Sequence, residues 1–151
     1  MPERSRDIEI EPTPDGLWMA GPVGRVRLAQ LTETVVRVDI EGHAYAEFAA
    51  AMQPTLDGIV ERHGRVYLGV DAEGMRSYDP RFRYLWTEWL KANDGRLDGM
   101  LILFRDRTVE SAAVIMNAVA GGEVVTACDD REWFEDRLVG AVSGVWSAVE
   151  V

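Results

Sequence analysis

Apolar and polar positions repeat with two different periods along this chain, and each change of period marks an element. Ile8 and Ile10 stand between acidic residues, which predicts a short strand. Pro14-Asp15-Gly16 carries turn chemistry, and residues 17–20 read as extended up to Gly21-Pro22. Residues 26–31 and 34–40 both follow a period near two, with Thr32-Glu33 between them, so they are expected to pair antiparallel. In that pairing Val36, Val38 and Ile40 face the core while Arg37 and Asp39 face water. From about His43 the period lengthens. Tyr45, Phe48, Met52, Ile59 and His63 fall on one side of a helix that closes at Gly64, and Pro54 predicts a kink or break within it.

The middle of the chain repeats this logic in shorter units. Residues 65–71 form an apolar run ending in Asp71, and residues 72–78 are expected to be a polar loop leading to a helix start at Asp79-Pro80. On that helix Phe82, Leu85, Trp86, Trp89 and Leu90 make the core stripe, and Asn93-Asp94-Gly95 ends it. Residues 100–104 read as a buried strand. Thr108 is expected to cap a helix with Ala112, Ile115, Met116 and Val119 facing in and Gly121-Gly122 as its stop. Residues 124–127 give a last strand. Asp129-Asp130-Arg131-Glu132 resembles a capping box ahead of a helix burying Phe134, Leu138, Ala141 and Val145. Strands alternating with helices require crossover connections, so the expectation is a single α/β domain spanning residues 1–151. Its sheet is mixed, antiparallel at the N-terminus and then parallel βαβ units, packed with about four helices.

Composition narrows the function classes. The chain has 151 residues with a formal net charge of −10 and no dense basic run, which argues against nucleic acid and anionic membranes as partners. One cysteine, Cys128, excludes an intramolecular disulfide and fits a reducing compartment. No stretch reads as a secretory signal or approaches the length of a spanning helix, so a cytoplasmic protein without membrane insertion is expected. Residues 1–6 are expected to be loose, residues 7–31 supply extra N-terminal strands, and residues 138–151 end the chain more apolar than a free tail.

From Thr34 to Leu138 the chain resembles the SpoIIAA-like branch of the STAS domains, the anti-sigma-factor-antagonist fold, with a distant likeness to CRAL-TRIO lipid-transfer domains. The residues carrying the resemblance are Val38-Asp39-Ile40-Glu41-Gly42, the helix closing at His63-Gly64, and residues 65–71 followed by Ala72-Glu73-Gly74-Met75. The tryptophan-containing helix, the strand at residues 100–104 and the helix start at residues 129–134 complete it. The resemblance implies a non-enzymatic regulatory or binding module that meets partners around the start of the helix at Asp79. Partner-switching members carry an Asp-Ser-Ser-Gly turn phosphorylated on serine there. This chain reads Asp79-Pro80-Arg81-Phe82, so the phosphoswitch is not expected at those positions.

Asp71, Glu73 and Asp79 are a candidate Mg²⁺ or phosphoryl-transfer set, whose chemistry calls for a nearby cation. The only lysine, Lys91, lies well along the helix. The competing assignment has Asp79 capping the helix and Asp71 and Glu73 paired with Arg105 or Arg107. His43 and His63 are expected to start and end a helix, and Cys128 to be a packing residue. Ser77 and Tyr78 precede a helix start, where a phosphate would be stabilised, though plain capping and turn formation is the favoured reading. Arg81, Tyr84 and Glu88 fall on the side of the helix away from the core stripe and make a candidate interaction surface. The resulting expectation is a regulatory or assembly module acting through Ser77, Tyr78, Arg81, Tyr84 and Glu88 on a protein partner or a second copy, with no cofactor. The alternative is a carrier of a small apolar ligand or lipid in a cavity lined by residues such as Phe48, Met52, Trp86 and Met116. A Mg²⁺-dependent phosphoryl enzyme on Asp71 ranks last.

Overall fold

The computed structural model describes residues 7–120 and 124–144. Among these residues seven strands form one sheet whose spatial order follows the chain: β1 (Glu9–Thr13), β2 (Gly16–Gly21), β3 (Gly24–Gln30), β4 (Val35–Ala44), β5 (Val66–Tyr78), β6 (Leu97–Phe104) and β7 (Val125–Cys128). The first four pair antiparallel as a meander, and β4 to β7 run parallel. Parallel neighbours need crossovers, supplied by α1 (Ala46–His63), α2 (Pro80–Ala92) and α3 (Arg107–Ala120). Because right-handed crossovers that advance in one direction all fall on one side, these three helices share a face of the sheet. After β7, α4 (Arg131–Ser143) returns over the opposite face.

Alternation along β4 distributes its side chains between two cores. Val36, Val38 and Ile40 join the large cluster under α1, α2 and α3, while Val35 joins a smaller one with Leu101, Leu103, Phe134 and Leu138 under α4. Phe48, Met52, Leu56 and Ile59 of α1 are fully buried, each worth about 1.5–3 kcal/mol of burial. That continuous apolar side carries α1 through Pro54 as one helix, so of the expected kink or break the break does not occur. Gly64 closes it in the left-handed region at φ 78°, returning its amide to the Val60 carbonyl. Over β5, α4 sits close because Gly69 has no side chain: a Cβ there would stand 2.9 Å from Leu138.

Several local expectations are corrected. Residues 72–78 are not a loop, since β5 continues to Tyr78 by pairing with β4 as far as Ala44. Two irregularities, between Asp39 and Glu41 and between Gly42 and His43 in the β4 register, absorb the polar, glycine-containing segment. His43 therefore lies on a strand and not at a helix start. Asp106, rather than Thr108, closes the start of α3, its Oδ1 accepting the Thr108 amide at 2.8 Å. Ile115 is 42% exposed, and Val109 and Ala113 take the inward positions instead. Asp130 caps α4 by accepting the Trp133 amide at 3.1 Å, so the cap lies one residue beyond the start of the expected Asp129–Glu132 box. The expected stop at Gly121-Gly122, inward-facing Val119 and Val145, and the apolar end at residues 146–151 lie outside the described residues or side chains.

Candidate functional site

The ends of β4 and β5 bring three polar side chains into line where α1 and α2 both begin. Parallel pairing sets His43 opposite Ser77 and Ala44 opposite Tyr78. His43 Nδ1 lies 2.7 Å from Ser77 Oγ, and its Nε2 lies 2.8 Å from Asp79 Oδ1. The other oxygen of Asp79 accepts the amide of Ala46, the first residue of α1, at 2.8 Å. Asp79 thus occupies the N-cap position of α2 but makes no side-chain cap there; it caps the neighbouring helix. Pro80 at the first helical position has no amide to satisfy, which removes part of the need for a cap on α2.

Beside this line a groove of about 630 Å³ runs between the two helix starts, lined by Ala46, Glu47, Ala50, Pro80, Arg81 and Leu85, with Asp79 at its end. Arg81 is exposed, and Tyr84, one turn on, is 52% exposed. Glu88 follows at the next turn and pairs with Lys91 at 3.5 Å. Ser77 is exposed at the strand edge. Tyr78 turns the other way, half-buried against the main core, into an apolar cleft beneath α2 and α3. Four of the five expected interaction residues therefore lie at the surface around the start and outer side of α2, and the fifth does not join them. On the inner side Phe82, Trp86, Trp89 and Leu90 are buried, with Trp89 Nε1 donating to Asp57 Oδ1 at 2.8 Å.

The carboxylates Asp71 and Glu73 point toward the α4 face, into a set of ion pairs. Arg37 donates to both oxygens of Glu135 at 2.8 and 3.1 Å and to Asp71 at 3.1 Å, and it reaches Asp39. Arg131 bridges Asp71 and Glu73 at 2.7 Å and Glu135 at 2.9 Å, while Arg105 reaches Glu73 at 3.1 Å. The guanidinium of Arg37 also lies 5.6 Å from the Phe134 ring centroid. Hydrogen bonds from Arg37 hold the Glu135 carboxyl below its ordinary value, and those from Arg131 do the same for Glu73. Burial dominates at Asp39 and pushes its carboxyl up. Glu73 takes Arg105 as expected, whereas Arg107 pairs with Glu110. Asp79, with His43 and Ala46 as partners, stands apart from Asp71 and Glu73. Periodicity assigned Arg37 and Asp39 to water. The one local signal for this network was the spacing of Arg131 and Glu135, four apart on a helix.

Of the four residues named for an apolar-ligand cavity, two line a cleft and two do not. Phe48 and Met52 are packed solid under α1, whereas Trp86 and Met116 do line the cleft beneath α2 and α3, which measures about 40 Å³. Cys128 is half-buried, and burial pushes its thiol up, as befits a packing residue. Among the described residues no helix is long and apolar enough to cross a membrane.

Comparison with solved structures finds a similar fold over most of the chain. The chain is similar to the crystal structure of an uncharacterised protein of the DUF3478 family from Shewanella loihica PV-4, described as having a SpoIIAA-like fold. The match covers 87% of this chain and 91% of that one, with a TM-score of 0.54 and 14% sequence identity. This chain has a SpoIIAA-like fold. At that identity the similarity establishes the fold alone. No protein-family model matches the sequence, and no curated protein matches it. Within the SpoIIAA-like frame the His43–Ser77–Asp79 line sits at the strand edge leading into α2, the helix start that the sequence resemblance singled out.

Proposed function

We propose that this chain is a non-enzymatic regulatory or assembly module, and that it binds a protein partner, or a second copy of itself, across the outer side of α2 and the groove at the starts of α1 and α2. The observation that carries this reading is Tyr84, 52% exposed and flanked at helical spacing by Arg81 and Glu88, beside a groove lined in part by Ala46, Ala50 and Leu85. Tyrosine and arginine beside an apolar recess are the residue types that anchor protein interfaces. The recess accepts an apolar side chain of the partner, and Arg81 and Glu88 supply a polar rim. The SpoIIAA-like fold supports a regulatory role without naming a partner. The link from Ser77 through His43 to Asp79 ties the end of β5 to both helix starts beside the groove.

Affinity capture from the native host with the wild-type chain and with Tyr84→Ala tests the reading, alongside sedimentation of both for self-association. A partner, or a dimer, retained by the wild type and lost with Tyr84→Ala supports it. Capture or dimerisation that is indifferent to both Tyr84→Ala and Arg81→Glu removes this surface from consideration.

A further inference from the structure

The cleft beneath α2 and α3 lies on the opposite side of α2 from the proposed partner surface. Its walls are Ile40, Met75, Trp86, Ile102, Ala112 and Met116, with Tyr78 and Arg83 beside them. Nearly all of its surface is carbon. At about 40 Å³ it exceeds the roughly 10–15 Å³ that one water needs, yet its apolar walls give a water almost nothing to bond. An alkyl group is the better filling.

Three of the protein's six methionines, Met75, Met100 and Met116, line this one cleft. Unbranched thioethers change rotamer at little cost, so the walls can yield to a tail larger than the resting space. Ala112 and Ala113 keep α3 thin where it covers the cleft. Two polar groups break the pattern, and both lack an internal use. Neither the Tyr78 hydroxyl nor the Arg83 guanidinium has a hydrogen-bond or ion-pair partner among the described residues. Arg83 is half-buried in a chain of net charge −10, in which Arg25, Arg27, Arg37, Arg65, Arg105, Arg107 and Arg131 are all paired with carboxylates. An unpaired guanidinium beside an apolar cleft is complementary to a carboxylate that carries a tail.

We propose that this cleft binds a small aliphatic carboxylate, its tail among Met75, Trp86, Met100 and Met116 and its carboxylate on Arg83 with Tyr78 donating. The tail supplies the affinity, and Arg83 distinguishes acids from alcohols. The site lies beside Phe82 and Trp86 on the buried side of α2, the helix whose outer side carries Tyr84.

Calorimetric titration of the full chain with butyrate, hexanoate and octanoate, and with 1-hexanol and 1-octanol as uncharged counterparts, tests this. Affinity is expected to rise about fourfold per added methylene until the tail fills the cleft. Arg83→Gln should weaken the carboxylates about tenfold or more and leave the alcohols unchanged. Ala112→Leu, which fills the cleft, should abolish both. Methionine-methyl NMR on the unaltered chain locates the site without a mutation: the methyls of Met75, Met100 and Met116 should shift with octanoate while those of Met19 and Met52 stay in place. The proposal fails if no saturable binding occurs, if Arg83→Gln binds octanoate as the wild type does, or if the shifting methyls are those of Met19 and Met52.

Discussion

Asp79 stands at the N-cap position of α2, yet its carboxylate closes α1, accepting the Ala46 amide at 2.8 Å while the other oxygen faces His43 Nε2 at the same distance. One side chain thereby joins two helix starts and a strand edge. Tyr45, which occupies the N-cap position of α1, offers no side-chain cap of its own; its hydroxyl instead accepts the Val23 amide at 3.1 Å. The cap that α1 lacks locally is supplied from across the fold.

Asp79→Ala should therefore destabilise the fold by about 0.5–2 kcal/mol, the ordinary cost of a lost N-cap, with the effect falling on α1. Asp79→Asn keeps an acceptor for Ala46 and should recover most of it. Urea unfolding gives the magnitude, and amide exchange at residues 46–49 shows which helix frays. Fraying confined to α2 would mean the cap acts locally after all.

Tyr84 and Trp89 lie on one helix with opposite exposure, 52% and 5%. Tyr84→Ala should leave the urea midpoint nearly unmoved and weaken association by about 2 kcal/mol, some thirtyfold. Trp89→Ala should cost about 3–5 kcal/mol of stability, chiefly through the cavity it leaves, with the hydrogen bond to the exposed Asp57 carboxylate lost as well. Trp89→Phe, which removes the indole donor but keeps an aromatic ring, should cost less. A collapsed midpoint in Tyr84→Ala would contradict its placement outside the core.

Pro80 and Arg81 carry no hydroxyl, so phosphopeptide mapping from native cells should find no phosphate there. Ser77, exposed and 2.7 Å from His43, is the residue to examine in the same digest. For a constitutive module, Ser77→Ala and Ser77→Asp should both retain the partner. Stoichiometric phosphate at Ser77, together with lost binding in Ser77→Asp, would replace that reading with a switch.

The α4 face predicts two opposite pH effects. Glu135 and Glu73 have folded values lowered by their arginines, so the stability they contribute is present above the ordinary glutamate value of 4.5 and is lost as pH falls through the lowered folded value. Asp39 is raised by burial, so its charge costs stability as pH rises past 3.8 and that cost is relieved on acidification. Glu135→Gln should flatten the acid side of the stability profile, and Asp39→Asn should steepen it. Urea midpoints between pH 7 and about pH 3 measure both. Profiles that move in the same direction for the two variants would show that Arg37 does not divide them in this way.

The elements that bury a face were legible in the sequence, because burial imposes its period on the residues themselves. The alternation Val36, Val38, Ile40, the stripe Phe82, Trp86, Trp89, Leu90, and Gly64 after the last helical turn each carry their structural consequence locally. So does the switch from a hairpin region to alternating strands and helices, which is enough to give the mixed sheet and its fold class. Residues 72–78 are different. They are polar and contain a glycine, and they form a strand only because β4 extends to Ala44 and offers an edge to pair with. Backbone hydrogen bonding between distant segments leaves no side-chain period to read. The same reason hid the partners of the charged residues. Arg37 meets Glu135 across 98 positions of chain and Arg131 meets Asp71 across 60, because α4 folds back over the open face of β5 where Gly69 lets it approach. Local periodicity decided which side chains leave the water. Only the packing of one element on another decided which charges meet, which helix Asp79 caps, and where a cleft remains.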